Sequence, residues 1–97
     1  TDGAIIIGIV VNHATKEIIG GPDVQSRGVI YLKDADYIVQ EVGNIIEKTI
    51  NDAVKENKYD NLTCRSDARD KIARYVLKET GKRPMILPAI VEINIKD

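Results

Sequence analysis

Ala4-Ile5-Ile6-Ile7-Gly8-Ile9-Val10-Val11 is an almost unbroken β-branched run, and its reading decides the fold. The run is too short for a globular helix and is bounded by turn residues, so it predicts a strand. Its apolar residues do not alternate, so both faces of that strand call for cover. Outward from it, Asn12 to Lys16 makes a turn into a short second strand, Glu17 to Ile19. Gly20-Gly21-Pro22-Asp23-Val24-Gln25-Ser26-Arg27-Gly28 then reads as an ordered loop. Its glycines permit positive φ, its proline fixes φ, and Asp23 and Ser26 can bond nearby main-chain N–H groups. A third strand is expected from Gly28 to Leu32.

Asp34 or Asp36 can cap the helix that follows. Apolar residues at 38, 39, 42, 45, 46, 50, 53 and 54 recur with helical spacing along one face. Gly43 interrupts that face, and a closely packed neighbour is the expected reason. After a polar break from Asn57 to Asn61, a second helix is expected to bury Leu62, Ala68, Ile72, Ala73, Val76 and Leu77. Gly81 supplies its C-terminal stop, with Lys78, Lys82 and Arg83 complementing the dipole. The last strand, Met85 to Ile95, sets Val91, Ile93 and Ile95 against Glu92 and Asn94, and Pro88 belongs at an edge or bulge.

The expected fold is therefore α+β: a two-layer sandwich with a small mixed β-sheet, in the order β-β-β-α-α-β, with two helices on one face. Residues 1–97 make a single domain. Such a sandwich leaves the second sheet face bare. The first strand and Met85 to Leu87 look apolar on both sides, so that face should dock onto something. Ile5, Ile7, Ile9, Met85 and Leu87 are the expected interface residues.

With 43% apolar and 30% charged residues, the chain has the composition of a globular domain. It has no Phe or Trp, so its core is aliphatic. No apolar run reaches the length of a membrane span, and no secretory signal opens the chain. It starts at Thr1 without Met, as expected either from removal of a Met or a tag or from a piece cut out of a longer protein. Cys64 is its single cysteine, which suits a reducing cytoplasm and a small buried role. The Asn61-Leu62-Thr63 match to the glycosylation pattern reads as chance.

The net charge of −1 hides an asymmetry. Residues 34–56 hold six acids against two lysines, whereas residues 65–83 hold seven bases against three acids. Adjacent helices of opposite sign usually attract across a solvated surface. The alternative is a basic face, Arg65 to Arg83, that touches RNA phosphates.

Catalytic chemistry is missing. His13 is the sole histidine and lies in a turn, so neither a metal cluster nor an imidazole-based triad can be assembled. No Gly-rich segment has phosphate-loop spacing, and Asp67 with Asp70 reads as a solvated pair. Arg27 is expected to pin its loop by bonding carbonyls, with Asp23 as its partner. Functionally, Asp23, Ser26, Arg27 and the Gly28 N–H could meet a partner domain or a phosphate, and Lys82 with Arg83 is a second, RNA-facing candidate.

Gly21-Pro22-Asp23-Val24-Gln25-Ser26-Arg27-Gly28-Val29-Ile30-Tyr31 and Lys82-Arg83-Pro84-Met85-Ile86-Leu87-Pro88 together resemble the C-terminal domain of bacterial ribonuclease J. They match that family's "GPD-x-x-SRG-hydrophobic-x-Y" segment and its "RRPMILP" ending, and the likeness extends over nearly the whole chain. The family joins a metallo-β-lactamase domain and an inserted β-CASP domain to a small C-terminal α/β domain. It degrades and processes RNA as an exonuclease and endonuclease, with two zinc ions on an HxHxDH motif. No such motif occurs in this sequence, so the resemblance carries over no catalytic residue, no metal ligand and no cofactor. It implies a cytoplasmic, non-catalytic fragment that supports RNA processing through oligomerisation and docking. Its partners would be the parent's own catalytic domains and a second copy or a paralogue, with RNA as the parent's substrate.

Overall fold

The computed structural model describes residues 2–29 and 35–96. Its elements are β1 (Ala4–Asn12), β2 (Ile18–Arg27), α1 (Ala35–Lys55), α2 (Asn61–Thr80) and β3 (Met85–Ile93). The strands form one sheet in the order β2-β1-β3, with β1 antiparallel to β2 and parallel to β3. The fold is thus the α+β sandwich with a mixed sheet, but its order is β-β-α-α-β. Gly28 and Val29 are not in a strand, residues 30–34 of the expected third strand, with Asp34, lie outside the described residues, and Asp36 lies within the first turn of α1 rather than before it.

The expected loop is itself a strand. From Gly20 to Arg27 the chain pairs along β1, with Ile7 opposite Val24 and Ile5 opposite Ser26. The glycines and proline serve irregularities within β2, where the register shifts between Gly8 and Val10 and again before Val11. Gly21 has φ 79°, and a Cβ there would lie 2.7 Å from the Gly8 carbonyl oxygen, so only glycine fits. Pro22 is tolerated because β2 is an edge strand.

The core is one aliphatic cluster. Ile5, Ile7, Ile9 and Val11 of β1 and Ile86 and Ile90 of β3 meet Ile38, Val42, Ile46 and Ile50 of α1. Cys64, Ala68, Ile72 and Val76 complete it from α2. Both helices therefore cover the same sheet face. The α1 stripe has the expected spacing. Gly43 is where Pro22 approaches, since a Cβ would meet the Pro22 ring at 3.2 Å. On α2 the buried stripe runs through Cys64, whereas Leu62 is 65% exposed and Ala73 is also exposed. Two residues turn a helix by about 200°, so Leu62 and Cys64 cannot share one face. Asp60 caps α2 by accepting from the Thr63 N–H at 2.9 Å, and Gly81 ends it with φ 73°.

Strand parity fixes the other sheet face. Ile6, Gly8 and Val10 of β1 pair in register with Leu87, Ala89 and Val91 of β3, and Asn12 pairs with Ile93. Ile6, Met85, Leu87, Val91 and Ile93 are all exposed. The expectation that Val91 and Ile93 form the buried side of β3 is therefore reversed. Ile86, Ile90 and the stem of Glu92 point to the helices instead. Pro88 fits β3 because that strand is an edge. The Met85 N–H bonds the Gly3 carbonyl and the Ile93 carbonyl accepts from His13, so odd residues bond towards β1 and even ones outward. The missing donor at Pro88 thus falls on the free side.

Candidate functional site

Two surfaces stand out, and the first is the open sheet face. Its apolar half consists of Ile6 and Val10 of β1 with Met85, Leu87, Ala89, Val91 and Ile93 of β3. Its other half is polar, because β2 opposes this face with Asp23, Gln25 and Arg27. The uncovered apolar area is therefore smaller than an all-aliphatic sheet face would give. Of the expected interface residues, Met85 and Leu87 lie here. Ile5, Ile7 and Ile9 do not: at 3%, 0% and 1% exposure they belong to the domain's own core. The β1 run reads as apolar on both sides and conceals that parity, so the sequence does not single out Ile6; Val91 and Ile93 escape it because their alternation with Glu92 and Asn94 reads as the buried side.

The second surface lies along β3 beside the start of α2. A groove of about 610 Å³ is lined by Ile6, Ile86, Leu87, Pro88 and Ala89 of the sheet and Leu62, Arg65, Ser66 and Arg69 of α2. Next to it sits a polar knot around Glu92. Glu92 Oε2 accepts from the Tyr59 hydroxyl at 2.7 Å and the Asn61 amide at 3.0 Å. Glu92 Oε1 lies 3.0 Å from His13 Nδ1 and 3.3 Å from Lys16 Nζ. The Tyr59 and Asn61 hydrogen bonds, with those of His13 and Lys16, hold the Glu92 carboxyl down at about 2. Burial, and then the bond to that carboxylate, push the Tyr59 phenol up. Asn61 also donates to the Ile90 carbonyl at 2.9 Å, and its Oδ1 accepts from Arg65 Nε at 2.7 Å. The Asn61 side chain is thus fully engaged within the fold.

The residues of the expected motif loop lie on strand β2 and just beyond it. Arg27 donates to the Ser26 carbonyl and to Gln25 Oε1, not to Asp23. Asp23 instead accepts from Gln25 Nε2 at 3.3 Å. Gly28 follows the strand with φ 68°. Lys82 and Arg83 are exposed past the end of α2, and the Arg83 N–H bonds Asp2 Oδ2 at 2.7 Å. The charged helices form no ion pair with each other among the described residues. Nor do the bases of α2 make one face: Arg65 and Arg69 line the β3 groove, and Lys71 lines a crevice against α1.

Among the described residues no three His, Cys, Asp or Glu side chains come together to hold a metal ion, so these residues do not fit zinc. Cys64 is buried, and burial pushes its thiol up, away from the reactive thiolate. No described helix is long and apolar enough to cross a membrane.

The Ribonuclease J C-terminal domain family model matches residues 1–93. The chain is 28% identical over 92 residues to Ribonuclease J 2 of Staphylococcus epidermidis, covering 95% of this chain and 16% of that protein. It is 29% identical over 93 residues to Ribonuclease J 2 of Streptococcus pyogenes, covering 96% of this chain and 17% of the relative. With Ribonuclease J 2 of Staphylococcus aureus it shares 27% identity over 92 residues, again 95% of this chain and 16% of that protein. The chain thus spans about a sixth of the length of the curated relatives it matches. It belongs to the ribonuclease J C-terminal domain family.

Proposed function

We propose that this chain is the non-catalytic C-terminal domain of a ribonuclease J-like enzyme and that it acts by docking. The bare apolar half-face of Ile6, Met85, Leu87, Val91 and Ile93 carries this reading. That strip is about 30 Å long and ~10 Å wide, roughly 300 Å². Patches of that size on monomers are often interaction sites. A standard interface nevertheless needs about 800 Å² per partner. The strip therefore forms part of a larger contact, with the remainder supplied by the parent's catalytic domains or by a second copy held at high effective concentration. RNA cleavage, and any zinc it uses, belongs to that catalytic part, in a cytoplasmic setting. A direct RNA-binding role for Arg65 to Arg83 has less support, because Arg65 and Arg69 line one groove, Lys71 lines another, and Lys82 and Arg83 lie beyond α2.

Sedimentation of the full-length parent with Leu87→Glu and Val91→Glu tests the proposal. The double variant is expected to shift to smaller species and to retain the folded domain by circular dichroism. Unchanged assembly would refute docking by a second copy, and an unchanged rate of limited proteolysis between this domain and the catalytic part would refute docking onto the catalytic domains.

A further inference from the structure

The groove along β3 shares Ile6, Leu87 and Ala89 with the open face and differs from it in the residues that α2 adds. Leu62, Ile86, Leu87 and Pro88 give it an aliphatic lining, Arg65 and Arg69 line it from α2, and no carboxylate lines it. Arg65 is also oriented in advance. Its Nε is held by Asn61 Oδ1, and Asn61 is fixed in turn by the Ile90 carbonyl and Glu92. Among the described residues the terminal nitrogens of Arg65 have no acceptor, leaving a planar pair of donors aimed from a tethered side chain. Such a group loses less side-chain entropy on taking a carboxylate. Pro88 and the Asn61 bond to Ile90 interrupt the outward edge of β3, so an incoming strand could not pair along its whole length.

We propose that this groove docks an extended polypeptide segment in which carboxylates alternate with aliphatic side chains. The apolar lining takes the aliphatic groups, and Arg65 and Arg69, one helical turn apart, take the carboxylates. RNA fits the groove less well, because no aromatic ring lines it to stack a base. Both arginines lie on α2, off the sheet, so reversing their charge separates this docking from that of the open face.

The test is an anisotropy titration of the 97-residue chain. Three labelled probes are compared: a Leu-Glu alternating peptide of about twelve residues, the same peptide with Lys for Glu, and an oligouridylate of similar length. The Glu peptide is expected to bind about tenfold tighter than the Lys peptide, and to weaken as salt rises from about 50 to about 300 mM. Arg65→Glu with Arg69→Glu is expected to cost about tenfold or more, and Arg65→Lys, which keeps the charge and loses the Nε anchor, less than that. Equal binding of both peptides, no binding of either, full affinity in a folded double variant, or preference for the oligouridylate would each overturn the proposal. If the double variant does not fold, the salt dependence and the comparison between peptides decide the matter.

Discussion

Glu92 shows how much one side chain can join. Its carboxylate meets Tyr59 and Asn61 at the start of α2 and His13 and Lys16 in the β1–β2 turn. Three elements are thereby tied at one corner. The sequence gives no hint of this, because those partners lie 31 to 79 residues away. Alternation along the last strand marks Glu92 only as a residue unlike its neighbours. The folded-state value, lowered from 4.5 to about 2, makes its contribution complete above about pH 4.5 and lost as pH falls through about 2. Glu92→Gln is expected to cost about 1–3 kcal/mol at neutral pH by urea unfolding. The gap to the wild type should shrink on acidification across that window. A gap that stays constant would mean the carboxylate charge contributes nothing.

At the scale of elements, helices were more legible than strands. The spacing of Ile38, Val42, Ile46 and Ile50 carries its own period, and Gly81 marks a C-terminus by a known mechanism. Strand β2 was misread because glycine and proline punctuate bulges as well as loops, and no local signal separates the two. Gly43 was legible as a close approach, though the approaching group, Pro22 from that same bulge, was not. Gly43→Leu should raise intrinsic helix propensity yet lower stability by about 1–3 kcal/mol, because its side chain has to displace the Pro22 ring. Chemical denaturation of a double-mutant cycle with Pro22→Ala checks this. The proline truncation should return a substantial part of the loss, and independent effects would show that the contact does not limit packing.

For the whole molecule, the two-layer fold and its uncovered face could be read from the sequence, but not which residues face which way. A run such as Ala4 to Val11 is apolar at every position except glycine, so its parity is set only by the partners it finds. The structure turns Ile7 inward and Val91 outward. Ile7→Ala is therefore expected to cost about 2–5 kcal/mol in denaturant titration, and Val91→Ala about 0.5 kcal/mol or less. Similar losses at both positions would contradict this assignment of faces.

Of the described elements the central strand comes first in the chain, yet one of its two neighbours comes last. Until that final ribbon emerges, the nascent chain carries a naked ladder along β1 and an incomplete floor beneath both helices. Closure must wait for translation to pass the far end, which is slow by contact order and leaves an aggregation-prone interval. A premature stop before Met85 would therefore release a chain with no route to this fold.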